Sequence, residues 1–342
     1  MRSGPDENRA ETSAGQAKMA TRDLIDPVRV RAWFNRWADR VSGGDFLLRE
    51  VSERMLDRLA YIRLNPQRVL DLGCGDGADM AALRNRYPQA FLLGVDFAEA
   101  ALKAAQQQSK AGEGGLGLGA IWRSIRVWQA RLQNALARQQ QATHPVAWVA
   151  GDATALPLAS RAVDLIWSNG LLHWHNNPPE VFAECQRVLQ VDGLLMFACF
   201  GPDSFKELRA ACEAAAQGSA AQHALTFVDM HDLGDMLVHA GLATPVMDME
   251  RLTLTYATPE ALLAEVRTLG GNVLKARPRG LSSSAYWQKV RAYLDGLRTV
   301  DGRIPLTIEL VYGHAWKPQP KQTGDGRAIV QFHPNRPVRT NS

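Results

Sequence analysis

The residues with the clearest chemical meaning form a glycine-rich loop, Gly73-Cys-Gly-Asp-Gly77, which follows the apolar run Val69–Leu72 and precedes a helical pattern. Glycines let the backbone turn tightly and approach a ligand closely, so a loop in this position is typical of a nucleotide site. Asp96 ends the next apolar run, where a carboxylate can accept hydrogen bonds from both hydroxyls of a ribose. The loop and Asp96 together predict a ligand that contains a ribose.

Two features indicate that this ligand is not a dinucleotide. The glycine spacing is G-x-G-x-G rather than G-x-G-x-x-G, and the strand before the loop carries an acid near its end, Asp71. A carboxylate repels a pyrophosphate but stabilises an ammonium or sulfonium group. The pattern therefore favours S-adenosylmethionine (SAM), which has both a ribose and a cationic end.

The ends of the third and fourth apolar runs add further polar groups. Asp152 can accept a hydrogen bond from an adenine amino group, and the backbone after it can donate to a ring nitrogen. Cys74 is expected to contribute its backbone only. The alternative is a domain of the same fold that has lost its ligand, although the loop, Asp96 and Asp152 are all intact. The predicted cofactor-binding residues are Asp71, Gly73, Cys74, Gly75, Gly77, Asp96, Phe97, Asp152, Ala153 and Asn169.

The elements that must position these residues alternate along the chain. Helical patterns lie between most of the short apolar runs, which occupy residues 68–72, 91–95, 146–150, 163–167 and 194–200. Such runs indicate a parallel sheet that is buried on both faces. We therefore predict an α/β fold with a doubly wound, mostly parallel Rossmann-like sheet, and a ligand at the C-terminal ends of its strands. Residues 305–316 alternate in a way that predicts an edge strand.

The pattern also predicts how the chain is divided. We expect a basic helical insertion to interrupt the core. The segment that follows the core is expected to be a largely helical cap with closing strands. The predicted segments are a disordered tail at 1–22, an N-terminal helical arm at 23–64, the core at 65–202 with its insertion at 108–143, the cap at 203–317 and a second disordered tail at 318–342.

Composition and charge narrow the class of protein. Hydrophobic residues make up 46% and charged residues 22%, as in a globular protein, and a net charge of +4 is too small to indicate nucleic-acid binding. No segment approaches the ~20 apolar residues of a membrane span. The four cysteines form no C-x-x-C pair, so we expect no metal site and a cytoplasmic location.

The chain resembles the class I SAM-dependent methyltransferases over about residues 65–200. Further segments extend the resemblance to one family, the malonyl-acyl-carrier-protein O-methyltransferases of biotin synthesis (the BioC family). This resemblance implies methylation of the free carboxylate of a malonyl thioester on acyl carrier protein. Fatty-acid synthesis then elongates the methylated malonyl group to a pimeloyl methyl ester. The segments that carry it are Phe34-Asn-Arg-Trp-Ala38, Ser168-Asn169 with His173-Trp174, residues 200–208, 232–237 and 252–256, and Pro305-Leu-Thr-Ile-Glu-Leu310.

The implied reaction sets the requirements for the substrate site. A malonyl carboxylate is already ionised at pH 7, so holding it in line with the methyl group in a dry pocket suffices and no catalytic residue is predicted. A cation must hold the carboxylate, and the candidates are Arg36, Arg277 and Arg279. The candidates for lining the pocket are His173, Trp174 and Tyr256. Each arginine could instead be an ordinary solvated side chain, and the lining residues could simply pack under the cap.

Several alternatives remain open at this stage. The basic helix at 121–140 could dock the acidic surface of acyl carrier protein, pack its Trp stripe on the body of the protein, or lie at a membrane surface. The C-terminal segments are also similar to a mitochondrial complex I assembly factor that hydroxylates an arginine, so a protein-modifying or assembly role is an alternative. A methyltransferase with another small acceptor and a SAM-binding scaffold without turnover are further alternatives.

Overall fold

The computed structural model describes residues 24–37, 46–114, 146–216, 224–270, 273–277 and 282–320. The predicted tail at 1–22, the basic helix at 121–140, Arg279 and nearly all of the C-terminal tail lie outside these residues. Among the helices that are described, none is long and apolar enough to cross a membrane.

Seven strands of the described chain form a single sheet in the order β3-β2-β1-β4-β5-β7-β6. The first five strands are parallel, and β7 is antiparallel to both of its neighbours. This confirms the predicted doubly wound, mostly parallel fold. The strands are β1 (Arg68–Leu72), β2 (Phe91–Asp96), β3 (Ala147–Ala150), β4 (Val163–Asn169), β5 (Leu189–Phe200), β6 (Ala243–Tyr256) and β7 (Ile304–Trp316).

Helices cover both faces of this sheet. A short 3₁₀ helix, Leu172–Trp174, follows β4. The α-helices are α1 (Pro27–Trp37), α2 (Phe46–Leu59), α3 (Met80–Arg86), α4 (Glu99–Gly114), α5 (Pro178–Val188), α6 (Lys206–Ala216), α7 (Met230–His239), α8 (Pro259–Thr268) and α9 (Ser284–Asp295).

Strand β4 shows why the central strands are almost entirely apolar. Side chains point alternately to the two faces of a strand. Leu165 and Trp167 are fully buried in a core that also contains residues of α2, α3 and α6. Ile166, between them, is fully buried in a second core with residues of α5 and α7. Because both faces are covered, neither set of positions can be polar.

The prediction that residues 305–316 form an edge strand is wrong. Strand β7 lies between β5 and β6, so that β6 is the edge of the sheet. The alternation in the sequence came from Glu309, a charged residue that is only 3% exposed. Its carboxylate accepts a hydrogen bond from the backbone N–H of Asp203 at 3.1 Å and lies 3.7 Å from the guanidinium of Arg251. A buried charge that is paired in this way mimics the pattern of a half-exposed strand.

The N-terminal arm is fixed to the C-terminal part of the chain. Arg54 and Arg58 of α2 form ion pairs with Glu250 at 3.1 Å and Asp248 at 2.6 Å, both on β6. Ahead of α1, residues 24–26 pair with the segment 273–277 through backbone hydrogen bonds. These contacts hold α1 and α2 beside the C-terminal ends of the parallel strands.

Candidate functional site

A cavity of about 1190 Å³, open to solvent, lies at the C-terminal ends of the parallel strands. It is lined by parts of the loops that follow β1, β2 and β4, by the end of β5, and by side chains of α1, α2 and the end of α8. The strand order reverses between β1 and β4, which is where ligands bind in open α/β sheets.

The glycine loop forms the floor of this cavity. Gly73 has a φ of +78°, and a Cβ atom there would lie 2.5 Å from Cδ1 of Leu171. Gly77 has a φ of +79°, and a Cβ atom there would lie 2.5 Å from the Trp148 ring. Only glycine combines this backbone conformation with so little space. The loop therefore makes the tight turn that its sequence predicts, with Gly77 packed against β3 rather than lining the cavity.

Asp96 is buried at the end of β2 and holds the loop in place. Its Oδ2 atom accepts a hydrogen bond from the N–H of Gly75 at 2.9 Å, and its Oδ1 atom accepts one from Ala98 at 2.7 Å. Burial raises the pKa of Asp96, while these hydrogen bonds and one from Phe97 oppose the rise. These three hydrogen bonds leave one of the carboxylate's roughly four lone-pair positions, which the hydroxyls of a ligand can share.

Asp71 on β1 and Asn169 on the neighbouring strand β4 both line the cavity. Oδ2 of Asp71 and Oδ1 of Asn169 are both buried and have no hydrogen-bond partner within the described chain. Burial raises the pKa of Asp71 well above its ordinary value, and the carboxylates of Asp79 and Asp96 add to the rise. A buried acceptor without a donor is costly, so this pair of atoms fits a ligand that brings N–H groups and a positive charge.

Asp79 is a site residue that the sequence reasoning missed. It precedes α3 in the N-cap position, yet its carboxylate makes no capping hydrogen bond. It accepts instead from Nε1 of Trp167 at 2.7 Å, from Nδ2 of Asn169 at 3.2 Å and from the hydroxyl of Ser52. Four aspartates therefore contribute to the lining of one cavity: Asp71, Asp76, Asp79 and Asp96. Such a lining favours a cationic ligand.

Aromatic rings from α1 and from the segments that follow β2 and β4 cover one side of the cavity. The Trp33 and Trp174 rings stack at 6.4 Å, and Phe34 lies edge-on to Trp174 at 5.6 Å and to Phe97 at 5.7 Å. Gly270, with a φ of +119°, follows α8 and would clash with Trp174 if it carried a Cβ atom. This roof brings Trp174 to the cavity lining, as the sequence reasoning expected, and adds Trp33 and Phe34 of α1, which that reasoning did not name as lining residues.

Two side chains at the cavity that could transfer a proton or act as a nucleophile, His173 and Cys74, are held neutral. His173 stacks on Phe200 at 4.4 Å, and burial lowers the pKa of His173 to about 3. Burial and the charge of Asp71 raise the pKa of the Cys74 thiol, so it is not an activated nucleophile. The described residues contain no cluster of His, Cys, Asp and Glu suited to a metal ion.

Other predicted residues lie outside the cavity. Asp152 is exposed and accepts from the backbone N–H and hydroxyl of Thr154 at 2.9 and 2.8 Å, and Ala153 is buried beside it. Arg36 is exposed and donates to the carbonyl of Ala32, in its own helix, at 3.1 Å. Arg277 and Tyr256 do not line the cavity either.

A different cation stands at the cavity mouth. Among the described residues that line the cavity, the one with a permanent positive charge is Arg49, in the first turn of α2. Within the described residues its side chain forms neither a hydrogen bond nor an ion pair. In the sequence, Arg49 is a single arginine in an amphipathic helix. Nothing in the sequence distinguishes it from an arginine that is simply solvated.

Comparisons with known proteins agree with this arrangement. Two family profiles, both described as a methyltransferase domain, match residues 69–120 and 116–197. The chain is 43% identical over 317 residues to the malonyl-[acyl-carrier protein] O-methyltransferase of Laribacter hongkongensis, covering 92% of this chain and 98% of that protein. It is 42% identical to the protein of the same name from Nitrosospira multiformis, covering 87% and 91%.

One solved structure shows the same fold. The YcgJ protein of Bacillus subtilis superposes with a TM-score of 0.51 at 14% identity, over 79% of this chain and 99% of that one. At this identity the likeness concerns the arrangement of the sheet and its helices, and it carries no information on substrate.

Proposed function

The chain belongs to the family of malonyl-[acyl-carrier protein] O-methyltransferases, and on this basis we propose that it converts malonyl-acyl carrier protein to its methyl ester with SAM as the methyl donor. This methyl ester would be the starting compound for biotin synthesis. The observation in the structure that carries the proposal is the buried, unpartnered carboxylate oxygen of Asp71 in a cavity rich in aspartates. A cation with N–H donors satisfies both features.

The residues around the glycine loop fit the parts of SAM. Asp71 and Asn169 would accept from the ammonium group of its methionyl end, and Asp96 would accept from the two ribose hydroxyls. Backbone atoms of Gly73, Cys74 and Gly75 would lie against the ligand. Support comes from the orphaned oxygens, from the remaining lone pair of Asp96 and from the open space beside Gly75, where a Cβ atom would have no neighbour within 4 Å.

The adenine would lie beyond β2, towards β3. Phe97 lines this part of the cavity and offers a ring face for stacking. Asp152 and Ala153 follow β3 at the same edge of the sheet and remain proposed contacts for the adenine amino group and ring nitrogen. Because Asp152 is exposed and bonded only to Thr154, its carboxylate can accept a further hydrogen bond from a ligand.

Catalysis in this proposal needs no proton transfer from the protein. SAM supplies a methyl group on a sulfonium, which an ionised carboxylate attacks in line. The aromatic roof of Trp33, Phe34 and Trp174 would exclude water and restrict the orientation of the acceptor. His173, neutral because of its low pKa, would serve as part of the pocket wall rather than as an acid.

Arg49 is the residue that we propose to hold the carboxylate of the acceptor. The cavity is otherwise acidic, so an anionic substrate must be stabilised against the aspartates. Arg49 lines the mouth, is exposed, and has no partner of its own within the described chain. It replaces Arg36 in this role, whose guanidinium is bonded to its own helix, and Arg277, which lies outside the lining.

We expect Arg49→Gln to raise the KM for malonyl-acyl carrier protein by about 10- to 100-fold, because a charge-assisted hydrogen bond contributes about 1.5–3 kcal/mol. Steady-state kinetics would measure the KM, and calorimetry would measure SAM affinity, which should stay within about twofold. Arg63→Gln, an exposed arginine outside the cavity lining, is the matched control. A loss of SAM affinity with an unchanged acceptor KM would assign Arg49 to the carboxylate of SAM and contradict this role.

The curated relatives do not favour the alternatives. The similar proteins reported above carry the same O-methyltransferase name, and the cavity contains the acidic cofactor side that a turnover enzyme of this kind requires. A protein-modifying assembly factor would have to place an arginine, a cation, beside the cation Arg49. The carboxylate acceptor is the better match for that charge.

A further inference from the structure

The exposed part of α1 is basic, and the one acid beside it, Asp26, pairs with Arg29. Arg29, Arg31 and Arg36 are exposed on this helix, and Val28 beside them is 76% exposed. The helix contains no Asp or Glu. By contrast, α2 carries three arginines and three acids, and two of its arginines are paired with acids of β6. Arg31 and Arg36 form no ion pair among the described residues, so α1 projects a net positive field.

The inner face of the same helix belongs to the cavity. Trp33 and Phe34 line the cavity and form part of its aromatic roof. An α-helix with its side chains is about 10–12 Å across. Trp33 comes four residues after Arg29 and three before Arg36, so it lies beside both on the helix surface. A partner that contacts these arginines would therefore stand within about one helix diameter of the cavity.

A second segment extends the basic face. The backbone N–H of Asp26 donates to the carbonyl of Val273 at 2.9 Å, and that of Lys275 donates to the carbonyl of Leu24 at 2.8 Å. Lys275 and Arg277 therefore flank the start of α1. Residues 24–37 and 273–277 together carry five basic residues and one acid, Asp26, which pairs with Arg29 at 3.1 Å.

We propose that this face, α1 with residues 273–277, is the docking surface for the acyl carrier protein. The inference rests on the proposed function, which delivers the malonyl group on a carrier protein of acidic surface. Complementary charge would steer the carrier to the helix, and exposed Val28 would give an apolar contact at the centre. The flexible arm of the carrier would then pass beside α1 and place the malonyl group under the roof that α1 forms.

The double variant Arg29→Glu/Arg36→Glu tests this surface. The two residues are seven positions apart, two turns of helix, so they lie on the same side of α1 and neither lines the cavity. Arg31 is kept because it lies over the ring of Phe97 at 5.6 Å. We expect kcat/KM for malonyl-acyl carrier protein to fall at least about tenfold and to depend less steeply on salt.

A small acceptor provides the internal control. Malonyl-pantetheine carries the same carboxylate and arm without the carrier, so its kcat/KM should be unchanged in the double variant. Arg63→Glu/Lys289→Glu makes the same change of charge at exposed positions elsewhere and should affect neither acceptor. Equal losses with both acceptors would overturn the proposal, since the variant would then damage the site itself.

The remaining outcomes are also decisive. No change with either acceptor in the double variant would overturn the proposal and place the carrier elsewhere on the protein. Wild-type protein that binds SAM but methylates neither malonyl-pantetheine nor the carrier protein would contradict the proposed function as well. The two failures are therefore distinguishable by the behaviour of the wild type.

Discussion

Asp96→Ala weakens SAM binding by about 2–4 kcal/mol, which corresponds to about a 30- to 1,000-fold rise in Kd. This is the expected result because the variant removes two charge-assisted hydrogen bonds to the ribose. It also removes the acceptor for the N–H groups of Gly75 and Ala98, which the carboxylate holds at 2.9 and 2.7 Å. Isothermal titration calorimetry with SAM and S-adenosylhomocysteine measures the effect.

Two comparisons separate the ribose contacts from the loop contacts. Asp57→Ala changes an exposed acid on α2 outside the cavity lining and should leave the Kd unchanged. A SAM analogue without the ribose hydroxyls should bind wild type weakly and should lose much less affinity in Asp96→Ala than SAM does. If Asp96→Ala bound SAM as tightly as wild type, the ribose would have to lie elsewhere in the cavity.

Asp71→Asn should have opposite effects on stability and on binding. In the ligand-free protein the variant removes a buried carboxylate whose Oδ2 atom has no partner and which lies near three others, so we expect the free energy of unfolding to rise by about 1–2 kcal/mol at neutral pH. With SAM present, the same variant loses the ion pair to the ammonium group. We expect the Kd for SAM to rise about 10- to 100-fold.

The pH dependence of this effect has a definite sign. Because the pKa of Asp71 is raised in the folded protein, the folded state binds its proton more tightly than the unfolded state does. The stability that this proton contributes is fully present below the unfolded pKa, about 3.8, and is lost as the pH rises through the folded value. The Tm of Asp71→Asn minus that of wild type should therefore grow as the pH rises above 4.

Thermal melts with and without SAM test both parts. Asp57→Asn, an exposed change of the same kind on α2, should shift the Tm by little at any pH. A variant Asp71→Asn that is less stable than wild type without ligand, and that binds SAM normally, would show that Asp71 has a structural partner and no role toward the cofactor.

The positions of the residues around the glycine loop were predictable because these residues follow strand ends. Gly73, Asp96 and Asn169 each come directly after or close an apolar run, and parallel strands bring their C-terminal ends to a common edge. Strand order alone then places Asp71 and Asn169 on the two strands that flank the crevice. No information on side-chain contacts was needed for this part.

The acceptor half could not be predicted in the same way. Trp33 and Arg49 belong to helices that precede the sheet, and no periodic pattern says where such helices lie on it. Their position depends on long-range contacts, such as the pairing of Ile25 with Leu274 and the ion pair of Arg58 with Asp248. Arg36 and Arg49 are both arginines on amphipathic helices, and only the fold separates them.

Two errors share one physical cause. Glu309 made β7 resemble an edge strand, and Asp79 has the sequence position of an ordinary N-cap. Both carboxylates are instead turned inward and satisfied by tertiary partners, Arg251 for the first and Trp167 with Asn169 for the second. A polar residue with an inward partner follows no rule of local sequence.

The most direct test of the proposed reaction is intact-protein mass spectrometry of acyl carrier protein after incubation with this protein and SAM. Malonyl-acyl carrier protein should gain the mass of one methylene group per molecule, and acetyl-acyl carrier protein, which lacks the free carboxylate, should gain nothing. The gain should depend on SAM and should be strongly reduced by Asp96→Ala. A preparation that binds SAM by calorimetry and leaves malonyl-acyl carrier protein unchanged would contradict the assignment of the acceptor.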